Sequence, residues 1–233
     1  MRPWLGCGLF FALAQALAGP QDDPAASPSP VAPRAAEDTF AYDGGRFVIA
    51  HAESAVCVIA LQGVITRDAA FKFDDVIKRS AALGCVKPWL LLESRGGSLD
   101  AGIRVGKEVH AQGLRTVARG NCASACALIF LAGSERVLAG PRARIGLHQA
   151  AIVRPTGDER WCAKSIATEA ARDMRRYLRA VNAATGDQIA EMIMRTSCDT
   201  IEWIDGSRAV DLGIATRLEP GATDTSTDTG RKP

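Results

Sequence analysis

The sequence predicts an α/β domain in which helices flank a mostly parallel β-sheet. Short apolar runs of strand length alternate with longer segments whose apolar residues recur at helical spacing. This alternation continues from residue 55 to residue 219, and such an order favours parallel strands joined by helices. Hydrophobic residues make up 47% of the 233 positions, so a single domain can build a sizeable core.

Each predicted strand is an apolar run bounded by glycine, proline or charged residues. "AVCVIALQG", which ends at Gly63, and "KPWLLLES" have the continuous apolar character of buried strands. The predicted strands are 55–63, 87–94, 115–120, short strands within 136–150, and a closing strand within 207–219.

The predicted helices have apolar residues three and four positions apart. Ser98 stands where an N-cap is expected, and Gly113 stands where the same helix is expected to end. The predicted helices are 68–84, 98–113, 124–134, 162–186, 187–196, and a helical turn within 207–219.

Residues 1–18 have the pattern of a cleaved secretory signal peptide. Arg2 precedes an apolar run at 4–14, and "ALA" then supplies small residues before a cleavage point after Ala18. A retained membrane anchor is the alternative, but the run is short for a span of about 20 residues. We therefore expect a periplasmic or secreted protein.

The folded domain is predicted to cover 39–219. Residues 19–38 and 220–233 are rich in proline, alanine and small polar residues without an apolar period, so we expect a disordered linker and tail. The net charge of +2, with no basic stripe, gives no reason to expect nucleic acid binding.

Six of the seven cysteines follow the signal peptide, and an even number in an exported protein favours disulfides. There is no CxxC pair and the three histidines are scattered, so we expect no structural metal. The six are Cys57, Cys85, Cys122, Cys126, Cys162 and Cys198.

Four features of the sequence could carry chemistry. The turn "SRGGS" follows a predicted strand, and paired glycines there can aim backbone N–H groups at a ligand, or can form a plain tight turn. Ser124 opens a predicted helix, which suits either a nucleophile or an N-cap. His148 follows a short apolar strand and can act as a base or have a structural role. Asp199 and Asp205 lie late in the chain, and either could orient the histidine.

Four segments in order resemble the Clp protease proteolytic subunit and its relatives in the ClpP/crotonase-like superfamily. They are "SRGGSLDAG", "ASACALIFLAGS", "RIGLHQA" and "AVDLGIA", and the resemblance covers about 55–219. More narrowly, the chain resembles exported Clp-protease-like proteins of proteobacteria. The resemblance implies a sheet of repeated ββα units flanked by helices.

The resemblance also implies roles for particular residues. Ser124 matches the nucleophile, His148 the base, and Gly97 and Ala125 the donors of oxyanion N–H groups. Asp199 matches the acid when positions are counted forward from "TG" at 185–186.

The position of the acid is ambiguous in this sequence. Counting back from "AVDLG" reaches Ile201 instead of Asp199, and a short insertion before Trp203 reconciles the two counts. Asp205 is the alternative acid. The chain also has Arg95 where the family's glycine turn usually has proline.

Two cysteines flank the matched nucleophile, which the Clp peptidase does not require. Six cysteines can pair in fifteen ways, and the order of the predicted elements favours one of them. Cys122 and Cys126 lie across one helical turn and can meet disulfide distances. The other favoured pairs are Cys57 with Cys85 and Cys162 with Cys198.

The leading functional hypothesis is a serine peptidase or related acyl hydrolase that acts on peptides or proteins without a metal or organic cofactor. A crotonase-type coenzyme A enzyme shares the fold, but the predicted export and the Ser–His pair argue against it. An inactive relative that binds peptides or scaffolds a complex is the main alternative, because fold does not imply function. We expect no ATP-driven unfoldase partner outside the inner membrane, and a homo-oligomer is compatible with the resemblance.

The predicted export can be tested on the mature protein. N-terminal sequencing should begin near Gly19, because the small residues of "ALA" end at Ala18. A protein that keeps Met1 and stays with membranes after a carbonate wash contradicts the prediction.

Overall fold

The structure, a computed structural model, describes residues 36–51, 56–153, 160–162 and 168–219. The predicted signal peptide, most of the predicted linker and the predicted tail lie outside these residues. The linker prediction was wrong for residues 36–38, which lie in the first strand. Within the described ranges, no helix is both long and apolar enough to cross a membrane.

The elements alternate largely as predicted, and the α/β fold class is confirmed. The strands are β1 Ala36–Tyr42, β2 Gly45–His51, β3 Cys57–Gly63, β4 Trp89–Ser94, β5 Arg115–Ala123, β6 Arg136–Leu138, β7 Arg144–Leu147, β8 Ala151–Val153, β9 Arg160–Cys162, β10 Glu202–Asp205 and β11 Arg217–Leu218. The helices are α1 Arg67–Ala82, α2 Leu99–Ala111, α3 Ala125–Leu131, α4 Glu169–Val181, α5 Gly186–Arg195 and α6 Gly206–Asp211.

Several strands were not predicted from the sequence. β1 and β2 form a hairpin that adds to the sheet through β3, and β10 pairs with β7. The long predicted helix 162–186 is shorter, because α4 begins at Glu169 and Cys162 ends β9. These strands are short or half-buried, so they lack the continuous apolar run on which the predictions depended.

Nine of the described strands form one sheet in the order β1-β2-β3-β4-β5-β6-β11, with β7 beside β5 and β10 beside β7. β8 and β9 pair with each other in a separate two-stranded sheet. The pairs from β3 to β11 are parallel, and β5 pairs with β6 through its first half and with β7 through its second half. As a result, the carboxyl ends of β3, β4, β5 and β7 meet at one edge of the sheet.

One face of the sheet forms the core. The side chains of Ile59, Leu90, Leu92 and Ala118 are fully buried on this face, and their neighbours along each strand, such as Leu91, are only half-buried. Alternation of this kind places the helices on the buried face. There, α2 packs against both α1 and α3.

Side-chain caps fix where the helices begin. Thr66, Ser98 and Thr168 each accept a hydrogen bond from the backbone N–H three residues later, at the starts of α1, α2 and α4. The predicted N-cap at Ser98 is therefore confirmed, and Gly113 follows the end of α2 with φ of 60°.

A buried tyrosine joins three helices. Tyr177 of α4 donates a 2.7 Å hydrogen bond to the Leu128 carbonyl of α3, and its hydroxyl lies directly over Gly106 of α2. Burial raises the pKa of Tyr177 far above its ordinary value, so the hydroxyl remains a donor. The contact sets the distance between α3 and the helices that cover it.

A half-buried arginine, Arg136, holds the closing segment of the chain. The Arg136 guanidinium donates to the carbonyl oxygens of Gly133, Gly213 and Ile214. Burial lowers the pKa of this guanidinium from its ordinary value. These bonds fix the turn between α6 and β11, as "AVDLGIA" indicated.

The three favoured disulfide pairs are confirmed. Their Cα–Cα distances are 5.6 Å for Cys57–Cys85, 5.1 Å for Cys122–Cys126 and 5.2 Å for Cys162–Cys198. Loop-closure entropy predicts stabilisation of roughly 3.5 kcal/mol for each of the two long loops, and of only about 2 kcal/mol for the short Cys122–Cys126 loop.

The contact between Tyr177 and Gly106 predicts non-additive stability changes. Gly106→Ala places a methyl group within van der Waals overlap of the tyrosine hydroxyl and should lower the free energy of unfolding by about 1–3 kcal/mol. Tyr177→Phe removes that hydroxyl, so in urea unfolding the double variant should be less destabilised than the sum of the single variants.

Tyr42→Phe is the matched control for this cycle. The Tyr42 hydroxyl also donates to a backbone carbonyl, that of Gln62, but it lies in the β1–β2 hairpin. Its combination with Gly106→Ala should be additive within about 0.5 kcal/mol. Equal behaviour of the two tyrosine variants would contradict the packing described.

Candidate active site

Three residues matched by the resemblance lie at the carboxyl edge of the sheet. Gly97 follows β4, Ser124 follows β5 and His148 follows β7. β5 and β7 are adjacent and parallel, with Ala123 opposite Gly146. Neighbouring strands lie about 4.8 Å apart, so residues just beyond their ends are close in space.

Ser124 forms a sharp turn between β5 and α3. Its backbone has φ of 56° and ψ of −124°, a strained conformation for a residue other than glycine. The Ser124 N–H donates to the Gly146 carbonyl at 2.9 Å, which ties the turn to β7. The same kind of turn exposes the nucleophilic serine in α/β-hydrolases.

The Ser124 hydroxyl does not cap the helix that it precedes. In the described part of the chain it makes no capping hydrogen bond, whereas Thr66, Ser98 and Thr168 all do. The N-cap role considered for this serine from sequence is therefore wrong. Ser124 itself is half-buried.

The glycine pair lies against the Ser124 turn. Gly96 has φ of 95°, and a Cβ on it would lie 2.6 Å from the Ala123 carbonyl oxygen and 2.7 Å from Ser124 Cβ. Gly97 forms a bridge with Ile65, and a Cβ on it would lie 2.2 Å from the Ile65 carbonyl oxygen. Only glycine fits both positions, so the turn is more than a generic reversal of the chain.

Within the described residues, two backbone N–H groups near Ser124 have no acceptor. The N–H groups of Gly97 and Ala125 appear in none of the hydrogen bonds formed among the residues that the structure describes. Ala125 is the first residue of α3, where N–H groups are left without helical partners. Such groups can bind a developing negative charge.

The hydrogen bond of the His148 ring leaves one nitrogen available. Nδ1 lies 2.7 Å from the backbone carbonyl oxygen of Gln149. A carbonyl only accepts, so Nδ1 is assigned the proton and Nε2 remains an acceptor. No hydrogen bond between the Ser124 hydroxyl and His148 is formed within the described ranges.

Asp199 lies on a loop that is tied to the strand end carrying His148. The Gln149 N–H donates to the Thr196 carbonyl at 2.9 Å, and the Gln149 side-chain amide donates to the Met194 carbonyl. Asp199 is exposed and lies next to the Cys162–Cys198 disulfide. Its role as the acid stays a prediction.

The register of β10 separates Asp205 from His148. Asp205 pairs with Arg144, whereas Glu202 pairs with Leu147, so extension of the register places Ile201 opposite His148. Four residues of strand correspond to about 13 Å. Counting back from "AVDLG" therefore leads to Ile201, which has no carboxylate, as the residue opposite His148.

Glu202 closes the loop that carries Asp199. Its carboxylate accepts hydrogen bonds from Arg195, Thr196 and Arg208. Desolvation raises the pKa of Glu202, but the hydrogen bonds and charges of Arg208 and Arg195 outweigh it and lower this pKa overall. The carboxylate therefore stays charged at neutral pH and holds the two ends of the loop together.

Ser124, His148, Gly97 and Ala125 all line one cavity of about 370 Å³. This volume lies in the range of small-molecule and peptide side-chain sites. The cavity continues from the serine into an apolar region lined by Leu99, Leu128, Leu147, Met174 and Ile193.

The sequence matches a known protein family over this region. The Clp protease family matches residues 87–219, which is more than half of the chain. The chain belongs to the Clp protease family. No curated protein sequence matches it significantly.

Solved structures confirm the fold of this Clp protease family member. ClpP1 from Listeria monocytogenes is 21% identical, with a TM-score of 0.54 over 72% of this chain and 93% of that chain. A point mutant of the same ClpP1 gives 20% identity and a TM-score of 0.53, over 70% of this chain and 90% of that one. A variant of the 1510-N membrane-bound stomatin-specific protease is 16% identical, with a TM-score of 0.54 over 70% and 77% of the two chains.

Several residues around the site were not found from sequence. The apolar lining comes from four helices and from Leu147 of β7, which are far apart in the chain, and Gln149 connects His148 to the loop after α5. The "HQ" pair was a visible signal for Gln149. No local pattern distinguishes Met174 or Ile193 from other core residues of amphipathic helices.

The close approach of Gly96 to Ser124 predicts a large effect of a single methyl group. Gly96→Ala must displace the Ala123–Ser124 backbone, so it should abolish reaction of Ser124 with a fluorophosphonate and lower the melting temperature.

Gly113→Ala is the control. Gly113 has φ of 60°, but a Cβ there meets nothing within 4 Å. The Gly113→Ala substitution should lower the free energy of unfolding by only about 1–2 kcal/mol, through backbone strain, and should leave the rate of fluorophosphonate labelling unchanged. A reactive Gly96→Ala protein contradicts the described contact.

Proposed function

We propose that the chain is an exported serine peptidase, or a related acyl hydrolase, with Ser124 as its nucleophile. One observation carries the proposal. Ser124 lies in a strained turn, its hydroxyl makes no capping hydrogen bond in the described part of the chain, and the residue lines a cavity together with His148. A serine that served only as an N-cap would not require this strained backbone conformation. Membership of the Clp protease family supports the same chemistry.

In the proposed mechanism Ser124 Oγ attacks a peptide carbonyl bound in the cavity. His148 Nε2, left as an acceptor by the Nδ1 contact to Gln149, takes the hydroxyl proton and returns it to the leaving amine. The acyl-enzyme is then hydrolysed by water through the same two residues. No metal or organic cofactor takes part.

The negative charge of the tetrahedral intermediate falls between the N–H groups of Gly97 and Ala125. Neither group has another acceptor among the residues that the structure describes, and both residues line the cavity. In enzymes where one such donor was removed, the cost was about 3 kcal/mol in the barrier.

Asp199 is proposed as the carboxylate that orients His148. Its loop is hydrogen-bonded to Gln149, the residue whose carbonyl now faces His148 Nδ1. The register of β10 favours Asp199 over Asp205 for this role.

The cavity chemistry favours an apolar substrate side chain beside the scissile carbonyl. Leucine, methionine and isoleucine side chains form the part of the cavity beyond Ser124. The proposed export would put the protein in the periplasm or outside the cell, and there we expect no ATP-driven unfoldase partner. Unfolded or flexible peptide segments are therefore the proposed substrates.

A catalytically inactive peptide-binding protein is the second candidate. The observation that favours it is the absence of a hydrogen bond between Ser124 and His148 within the described part of the chain. Such bonds are often long without substrate and tighten on binding.

A fluorophosphonate separates the two candidates. The wild-type protein should gain the mass of one phosphonyl group, and Ser124→Ala should gain none. His148→Gln should slow the reaction by about 1,000-fold or more, because the hydroxyl loses its base. A wild-type protein that remains unlabelled supports the peptide-binding alternative.

Two isosteric variants test the acid. Asp199→Asn should slow hydrolysis of a short chromogenic peptide by at least about 100-fold, since the imidazolium would lose its charge partner. Asp205→Asn is the matched control and should stay within about twofold of wild type. The opposite order would assign the role to Asp205, and two unaffected variants would leave the Gln149 carbonyl as the orienting group.

A further inference from the structure

We propose that the Cys122–Cys126 disulfide is a positioning device for the nucleophile. It holds the backbone reversal at Ser124 so that the Ser124 hydroxyl and the Ala125 N–H face the same point of the cavity. The proposal rests on the proposed function of Ser124.

The bond joins the two elements that the turn connects. Cys122 lies in β5, in register with Ser94 of β4 and Ile145 of β7, so it is fixed by the sheet on both sides. Cys126 lies in the first turn of α3. The two Cα atoms are 5.1 Å apart, and Ser124 is the middle residue of the three between them.

Hydrogen bonds alone hold the strained turn at Ser124 only weakly. Ser124 is in an unfavourable backbone region, and no side chain caps α3 in the described structure. The hydrogen bonds that hold the turn are Ser124 N–H to Gly146 O at 2.9 Å and Leu128 N–H to Ser124 O at 3.3 Å. The disulfide adds a covalent limit on how far β5 and α3 can separate.

The loop length argues for a local role. The Cys122–Cys126 bond spans four positions, against 28 and 36 for the other two bonds, so it restricts the unfolded chain least. What it restricts most is the segment that carries the proposed nucleophile.

The burial of the pair makes it a permanent brace. Cys122 and Cys126 are both 0% exposed, so a reductant cannot reach either sulfur in the folded protein. The bond must form as the chain folds. This dependence fits the proposed export to an oxidising compartment.

The Cys57–Cys85 bond provides a matched control. Cys57 begins β3, and the carboxyl end of that strand, Gly63, lies toward the site. Seven strand residues place this bond roughly 20 Å from the edge of the sheet where Ser124 lies.

The test compares C122A/C126A with C57A/C85A at a temperature well below the melting point of each protein. The rate of fluorophosphonate labelling and kcat and KM for a short chromogenic peptide are measured. C122A/C126A should lose about 10- to 100-fold in labelling rate and kcat with little change in KM. C57A/C85A should stay within about twofold of wild type in all three, even though it melts earlier.

Amide hydrogen exchange over residues 123–126 measures the brace itself. Exchange should accelerate in C122A/C126A and remain at the wild-type rate in C57A/C85A. Failure of the proposed function appears separately, as an unlabelled wild-type protein, and the exchange result still decides whether the bond holds the turn.

Three results overturn the proposal. One is a C122A/C126A protein with wild-type kcat and labelling rate, even with a lowered melting temperature. Another is unchanged exchange over the turn. The third is failure to fold of both C122A/C126A and the volume-filling C122V/C126A while C57A/C85A folds, since the bond would then serve the whole fold and not the turn.

Discussion

The site depends on the reversal of the chain at Ser124 between β5 and α3. The reversal is sharp because β5 is held in parallel register by β4 and β7 up to its last residues, while α3 must return across the buried face of the sheet. The chain connects the two over this short distance with a positive φ at Ser124. The same geometry places the Ser124 hydroxyl and the Ala125 N–H, at the start of α3, at the edge of the sheet.

The neighbours of this turn each satisfy one of its requirements. Gly96 lets a second backbone approach to within contact of Ser124 Cβ, and the Gly146 carbonyl accepts the serine N–H. Tyr177 of α4 donates to the Leu128 carbonyl of α3, and both helices contribute apolar residues to the wall of the cavity. Packing far from the chemistry thereby determines the shape of the site.

The features predicted from the sequence have a local cause or follow from the order of the elements. The glycine pair, the strand–serine–helix order and the Cys122–Cys126 pair follow from residue types at short spacing, and the other two cysteine pairs follow from the order of the predicted elements. The β1–β2 hairpin, the covering of Leu128 by Tyr177 and the Gln149 contact to the loop after α5 depend on partners distant in the chain. The identity of the acid was ambiguous for a related reason. Residues 196–201 form an irregular loop, so counting positions along the sequence does not show which side chain points toward His148.

The role of Ser124 as the nucleophile is tested most directly by a crystal structure of the protein after reaction with a fluorophosphonate. We expect phosphorus bonded to Ser124 Oγ and a phosphonyl oxygen about 2.7–3.1 Å from the N–H nitrogens of both Gly97 and Ala125. His148 Nε2 should face the same group. An adduct on another residue, or a phosphonyl oxygen that points away from both N–H groups, would show that these residues do not form the proposed site.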